Sequence, residues 1–480
     1  LISNIDIAII VLYFIGMLGI GVYVNKRAKR GDELESYLAA DRDVGLLRTA
    51  ATSAATDLGG GFTIALAGLG FTLGISASWL MLCSALSAVF AAFLTVPVIK
   101  RWADRCKGYT TGELFGRRFD EKTRLIAGLL LGLSWWAFVG GQIIAGGKLA
   151  AAIMGIDLTT AIIVIGAIVL AYTVLGGLKA VILTDVVQMV ILFVGIILFL
   201  VPLGWFKVGG WENIVATLSQ SPETANLTSW SAVDLKTAVG WFLSIFPVWF
   251  ISMATHQRII AAKDANSAKW GIFLTGIPIE WPLFALGGAL VGLYARVLLQ
   301  NVPDPEMAMP YMIANLLPVG ISGLVLAAYI AAVMSTADSC LMVPVSTFVN
   351  DFYRKLKPNA SPSELVKVGQ ISALVLGLLA IALAYKVPSI IDLILYAYTF
   401  AASGLFFPML GLLFWKRATA TGAFASILLG GLVGVGWSIA GNPYGLAASY
   451  PGWIVSFVTL VVVSLMTQHS PEEDLDTFYS

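Results

Sequence analysis

The chain has 480 residues, of which 58% are hydrophobic and only 12% charged, and its mean hydropathy is +0.87. These values exclude a soluble globular domain and imply a polytopic membrane protein. A net charge of +1 gives no acidic or basic excess of the kind that binds nucleic acid, and Cys83, Cys106 and Cys340 are too far apart for a disulfide scaffold or a metal cluster.

Apolar stretches of about twenty residues, the length that crosses about 30 Å of hydrocarbon, recur thirteen times. The first, Ile5 to Val24, carries Lys26, Arg27, Lys29 and Arg30 after its apolar run, which is the wrong side for a signal peptide and reads as an uncleaved helix. The next six are Leu46 to Phe71, Ala77 to Ile99, Thr123 to Ala152, Thr159 to Leu175, Ala180 to Leu203 and Leu235 to Thr255. Six more follow: Ala268 to Ala295, Val319 to Val349, Leu365 to Tyr385, Ile390 to Phe414, Thr419 to Ala440 and Gly452 to Met466. Residues 204 to 234 read as an outer loop with interfacial Trp205, Trp211 and Trp230, in which Asn226-Leu227-Thr228 is a weak glycosylation sequon. Asp304 to Leu317, between Pro303 and Pro318, reads as a short amphipathic outer helix.

The distribution of basic residues supports this count. With the N-terminus outside, the loops on the cytoplasmic side carry 24 of the 29 Lys and Arg, as the positive-inside rule requires. The remaining five, Lys148, Lys207, Lys236, Arg296 and Lys386, are scattered among outer loops and helix ends. An odd number of spans then puts the tail, residues 467 to 480, in the cytoplasm. The two histidines, His256 near a segment end and His469 in the tail, leave the membrane interior without the commonest general base, which argues against a hydrolytic enzyme.

The span from Leu46 is apolar at both ends but reads Ala55-Thr56-Asp57-Leu58-Gly59-Gly60-Gly61 in the middle. A carboxylate beside three glycines is costly at that depth and weakens the helix. One reading is a helix that unwinds, freeing carbonyls for a cation and presenting a half-helix N-terminus to an anionic group. The other is a glycine packing face with Asp57 paired to a neighbour. Asp185, Glu280 and Asp338 also fall inside spans, and no basic residue is expected at their depth. A bound cation would satisfy several at once; neutral acids paired with backbone or hydroxyls are the alternative, notably for Glu280 between Pro278 and Pro282.

In Ala331 to Ser339, helical spacing places residues 332, 335 and 336 on one face and 335, 338 and 339 on an adjoining one. Two oxygen-rich sites for a hard cation could share the Ser335 hydroxyl. Alternatively, the hydroxyls bond back to the preceding turn.

These residues resemble the sodium/solute symporter family, which includes proline, pantothenate, sugar, sialic acid and choline carriers. The matching pieces are Ala54 to Gly60, Gly176 to Val181 with Thr184 to Gln188, Gln257-Arg258 with Ala261 to Asp264, Ala331 to Ser339, and Phe414 to Thr419. They extend over nearly the whole chain. The resemblance implies an all-α, LeuT-type inverted repeat of five plus five helices, at 46–203 and 235–414, in a single transporter domain. One helix, at 5–24, precedes the repeats and two, within 419–466, follow them. It implies a first sodium held by the carbonyls of Ala55, Leu58 and Ala332 and the hydroxyls of Ser335 and Thr336. A second sodium, found in some members, would lie by Asp185, Ser335, Asp338 and Ser339, where Asp338 replaces a hydroxyl of two-ion relatives. Solute would meet Asp57, Gly59, Phe62, Trp136, Gln142, Phe246 and Trp249, with Pro247 interrupting the second broken helix. A motif with two glycines in the family reads Ala39-Ala40-Asp41-Arg42 here, with no loss of transport expected.

The function so implied is sodium-coupled uptake of a small organic solute across the plasma membrane by alternating access. It requires sodium, the solute and the bilayer, with no cofactor, nucleic acid or protein partner. Asp57 favours a zwitterionic, amino-acid-like solute; a monocarboxylate, a choline-like cation held by Trp136 and Trp249, or proton coupling are the alternatives. A channel would need a repeated filter loop, an enzyme a nucleophile and base, and a sensor a soluble output domain; none is evident.

Overall fold

Helix boundaries follow from caps written in the sequence. Asp120, Asp157, Asp234, Asp264, Ser361, Ser389 and Thr419 each lie in extended backbone just before a helix and accept the N–H three residues on. Each satisfies a donor that the first helical turn leaves unpaired. The computed structural model describes residues 3–28, 33–299, 302–387, 389–468 and 478. Lys29 and Arg30 of the first basic loop, His469, and nearly all of the acidic tail expected on the cytoplasmic side lie outside the described residues.

Helix α1 is Asn4–Ala28. The second span is split into α2 (Leu46–Asp57) and α3 (Gly60–Leu73), and α4 (Trp79–Leu94) follows a break at Gly74, where φ is 63°. Helix α5 is Glu121–Met154, and α6 (Leu158–Leu192) contains the fifth and sixth expected spans, parted at Gly177 (φ 61°, ψ 177°). The seventh span comprises α7 (Leu235–Ile245), α8 (Val248–Ile251) and α9 (Met253–Ala261). Helices α10 (Ala265–Leu274) and α11 (Ala285–Leu298) flank wide turns over Thr275–Phe284 that contain Pro278 and Pro282. Then come the short helix α12 (Ala308–Leu316), α13 (Ile321–Thr347), α14 (Pro362–Lys386), α15 (Ile390–Phe414), α16 (Ala420–Ile439) and α17 (Ser449–Met466).

Ten helical runs are long and apolar enough to cross a bilayer, and two shorter apolar ones lie at Asn4–Ile20 and Leu158–Leu170. One of the ten, Gly60–Leu94, is divided at Gly74, so the described residues hold the thirteen segments expected.

Glycine lets these helices touch backbone to backbone. Where α3 crosses α11, a Cβ on Gly292 would come 2.2 Å from the Ala67 carbonyl oxygen, and one on Gly70 2.5 Å from that of Ala289. Lipid is as apolar as a leucine side chain, so close packing of this kind, not escape from water, holds the helices together.

Two expectations need correction and one is extended. Residues 204–234 are not a plain loop. The helix runs on to Val208, and after Gly209 and Gly210, both with positive φ, the chain forms a further helix at Gly210–Leu218 and a turn at Ala225–Thr228. The seventh span is broken at Phe246–Pro247, between α7 and α8, as expected, and a second time at Ser252 (φ −61°, ψ 116°), which caps α9. His256 is not at a segment end but enclosed within α9, where Nδ1 lies 2.6 Å from Thr111 Oγ1 and Nε2 3.0 Å from the Phe250 carbonyl.

The missing glycines of the 39–42 motif also matter locally. Ala40, Asp41 and Arg42 all take positive φ (48°, 58° and 52°), a region in which a Cβ is crowded and glycine is not. Side-chain bonds hold the turn. Arg42 donates to Glu35 at 2.6 Å and to the carbonyls of Ala103 and Gly108 at 3.1 and 3.0 Å, and Asp41 pairs with Lys179. Val44 then pairs with the backbone at Ala261 and Lys263, tying the start of α2 to the end of α9.

Candidate functional site

The break between α2 and α3 is built by close approach as well as by weak helix propensity. A Cβ on Gly59 would lie 2.3 Å from Thr336 Oγ1, one on Gly60 2.3 Å from Val333 Cγ2, and one on Gly61 2.6 Å from Gln142 Nε2. Three glycines therefore admit α13 on one side and α5 on the other. The two readings of the motif, an unwound helix and a packing face, describe one arrangement.

Oxygen atoms gather at this break. Ser335 Oγ lies 2.8 Å from the Ala55 carbonyl and 3.1 Å from that of Ala332, and Thr336 Oγ1 lies 2.8 Å from the Thr56 carbonyl and 3.3 Å from that of Ala55. Ser335 and Thr336 are fully enclosed. Leu58 caps α2 through its N–H to the Ala54 carbonyl, and its own carbonyl follows at the break. The Thr56 carbonyl belongs to the cluster although the sequence reading did not include it.

The four intramembrane acids are all buried, but the expectation that no basic residue shares their depth is wrong. Arg258, on α9, is enclosed, and its Nη2 donates to Asp185 Oδ2 at 3.0 Å, to Ser339 Oγ at 2.5 Å and to Thr56 Oγ1 at 2.8 Å. Its Nε donates to Thr52 Oγ1 at 3.3 Å, and Thr52 Oγ1 donates to Asp185 at 2.5 Å. A side-chain cation thus stands among the residues expected around a second sodium. Asp338 accepts at Oδ1 from the Ser339 N–H at 2.5 Å, while its Oδ2 and Asp185 Oδ1 have no protein donor among the described residues. Arg258 belongs to the quoted Gln257-Arg258 motif; ending the span at Thr255 assigned it to a loop.

Asp57 faces a cavity of about 20 Å³ lined also by Trp135, Phe138, Trp249, Arg258 and Tyr398, enough for about one water. Its Oδ2 accepts from Ser84 Oγ at 3.1 Å, and Ser84 Oγ accepts from Trp249 Nε1 at 2.8 Å. Phe62 packs beside Phe138 and Tyr398, whose stacked rings lie 5.0 Å apart. Gln142 Oε1 accepts the Gly61 N–H at 2.8 Å, and its buried Nε2 has no partner among the described residues.

Of the seven expected solute residues only Asp57 and Trp249 line this cavity; Gly59, Phe62 and Gln142 stand at the neighbouring break, and Trp136 and Phe246 lie elsewhere. Trp136 turns away, donating to the Leu376 carbonyl at 2.9 Å in a groove with Leu129, Leu133 and Phe348. The indole on the cavity side is Trp135, one position earlier on α5, because successive helical residues point about 100° apart. Phe246 joins Phe90, Phe242, Phe250 and Phe406 in an aromatic cluster beside the cavity. Lys148, one of the scattered basic residues, is buried against Asp304 and Glu306 at 2.6 Å each, and Glu306 also accepts the N–H groups of Ile390 and Ile391.

Comparisons with known proteins agree with this architecture. The model of the sodium:solute symporter family matches residues 37–430. The high-affinity proline transporter PutP of Bacillus subtilis (strain 168) is 30% identical, over 96% of this chain and 98% of its own. A sodium/proline symporter of Staphylococcus aureus is 29% identical, over 96% and 92%. Among solved structures, a Na+-coupled sialic acid symporter in a substrate-bound outward-open state superposes with a TM-score of 0.78 at 23% identity, covering 98% of this chain and 99% of its own. Mhp1, a nucleobase-cation-symport-1 family transporter in a closed conformation, gives 0.62 at 16% identity, covering 92% and 97%. These likenesses establish the LeuT-type fold.

Proposed function

This chain belongs to the sodium:solute symporter family, and from that premise we propose that it imports a small zwitterionic, amino-acid-like solute together with sodium by alternating access. As a member of that family it is an integral membrane transporter and not an enzyme. The observation that carries the ion site is the meeting of the Ser335 and Thr336 hydroxyls with the carbonyls freed where α2 ends. The coupling sodium is held there by the carbonyls of Ala55, Leu58 and Ala332 and by the two hydroxyls, all hard oxygen donors. A second sodium among Asp185, Ser335, Asp338 and Ser339 requires Arg258 to withdraw, so one ion per cycle is the economical reading.

The solute's cationic nitrogen meets Asp57, and its carboxylate meets the α3 N-terminus at Gly59 and the free Gln142 Nε2. Phe62 and Trp249 close the sides, with Trp135 in place of Trp136. The relatives named for proline support a compact secondary ammonium. The repeats at 46–203 and 235–414 rock about this point, with the N-terminus outside and the C-terminus in the cytoplasm. Sodium supplies about 2.3 kcal/mol per charge per 100 mV in addition to its gradient. The coupling is reciprocal, so sodium raises solute affinity by the factor by which solute raises sodium affinity.

Radiolabelled L-proline uptake into proteoliposomes tests this. Accumulation that needs an inward sodium gradient is expected. Uptake driven equally by a proton gradient without sodium would replace the coupling ion, and a thermal-shift screen of metabolites with and without sodium would name another solute if L-proline is not carried.

A further inference from the structure

His256 lines neither the cavity nor the coupling-ion site, yet it is enclosed and both of its ring nitrogens are engaged. It stands in the first turn of α9, just past the break at Ser252. In an unbroken helix the Phe250 carbonyl would accept the N–H four residues on. The extended angles of Ser252 remove that donor, and His256 Nε2, 3.0 Å away, takes its place. The backbone N–H of His256 goes to the Ser252 carbonyl at 2.9 Å, so one residue bonds to both sides of the break.

Helix α8 depends on such outside contacts, because four residues are too short a helix to hold themselves. On its other side, the Trp249 N–H donates to Ser87 Oγ at 3.3 Å and the indole to Ser84 Oγ at 2.8 Å, both on α4. A third element orients His256. The short helix Thr111–Arg118, between α4 and α5, is capped by Thr110, whose hydroxyl donates to Asp351 Oδ1 at 2.9 Å. Arg124 of α5 donates to the same oxygen at 2.9 and 2.7 Å. Held in this way, the chain presents the next hydroxyl, Thr111 Oγ1, at 2.6 Å from His256 Nδ1.

A carbonyl only accepts, so Nε2 carries a proton. Among the described residues no carboxylate is bonded to the ring, and a second proton would make an uncompensated buried cation. Nδ1 therefore accepts from Thr111. We propose that His256, as the neutral Nε2–H tautomer, is a positioning residue for the solute site: it clamps the Phe250 carbonyl and so holds α8 at the angle that presents Trp249 to the cavity. That Trp249 meets solute rests on the reading above; the clamp stands whichever solute is carried.

Nitrogen-15 NMR of histidine-labelled, purified protein tests the tautomer. The chain has two histidines, so His469→Gln leaves the signals of His256 alone. A protonated Nε2 and a bare Nδ1 are expected at neutral pH, and a proton on Nδ1, alone or together with Nε2, overturns the proposal. In L-proline uptake at saturating sodium, His256→Gln should keep KM within about threefold, because its amide N–H reaches the place of Nε2–H, whereas the shorter His256→Asn and His256→Ala should raise KM about tenfold, the scale of one unmet buried acceptor. Mere loss of folded protein would lower the maximal rate and leave KM unchanged. An Asn variant equal to the Gln variant, or an Ala variant with the wild-type KM, overturns the positioning role. Thr111→Val should also raise KM and add nothing to His256→Ala; additive losses overturn the orientation of the ring by Thr111. If wild type carries no L-proline, the solute reading fails and the NMR spectrum still decides the clamp.

Discussion

The Arg258 guanidinium lies 3.0 Å from the Asp185 carboxylate, and both side chains are enclosed. The cation comes from α9, the anion from the part of α6 after Gly177, and Thr52, Thr56 and Ser339 complete the cluster. A resident side-chain cation thus stands beside the acid that the resemblance puts next to a second sodium.

Removing one partner of such a pair is costlier than removing both, because the survivor is left as an uncompensated buried charge. Arg258→Met should destabilise the protein by about 3–5 kcal/mol. The double variant R258M/D185N should recover most of that loss. Thermal unfolding of the purified proteins measures both, and a double variant as unstable as the sum of the singles would mean that the two residues act independently.

Ser335 and Thr336 supply the two side-chain oxygens at the α2 break. Ser335→Ala and Thr336→Ala should each raise the sodium concentration for half-maximal uptake by about tenfold, the scale of one lost interaction with a charged group. Thermal stabilisation by sodium should shrink in parallel. Unchanged sodium dependence in both variants would remove the ion from this place.

Gly60 is where α13 presses on the break. A methyl there would come 2.3 Å from Val333 Cγ2, so Gly60→Ala should cost about 1–3 kcal/mol through overpacking. Val333→Ala in the same chain should restore most of it. If the second change makes matters worse, steric fit is not what the glycine provides.

Ala40 occupies the left-handed region at φ 48°. Ala40→Gly should stabilise the protein by about 1 kcal/mol, the cost of one residue held there, with uptake unchanged. A lower melting temperature for the variant would show that this turn prefers its present side chain.

The two neighbouring tryptophans of α5 separate cavity from membrane. Trp135→Ala should raise the KM for solute at least tenfold, whereas Trp136→Phe should change stability and leave KM within about twofold. The first estimate is the scale of losing an aromatic wall, and uptake kinetics at saturating sodium compare the two. The reverse order would return the solute contact to Trp136.

Composition and hydropathy determined that this is a helical membrane protein with thirteen apolar segments, because each span must satisfy its own backbone within the bilayer. Ser, Thr and Asp caps fixed the starts of α5, α6, α7, α9, α10, α14, α15 and α16, and Asp57 beside Gly59, Gly60 and Gly61 marked the break, since a carboxylate and three glycines conflict with an ordinary span. The helical spacing of Ala332, Ser335 and Thr336 put three oxygen donors on one face. Which helix Arg258 joined, and therefore what neutralises Asp185, was decided only by tertiary structure. Ser252 starts a new half-helix that carries His256, Gln257 and Arg258 inward, and hydropathy reads those residues as loop because their partners lie far away in sequence. Trp135 was chosen over Trp136 in the same way: one residue of rotation on α5 decides whether an indole faces the cavity or the groove by Leu376, and rotation is fixed by what packs against a helix.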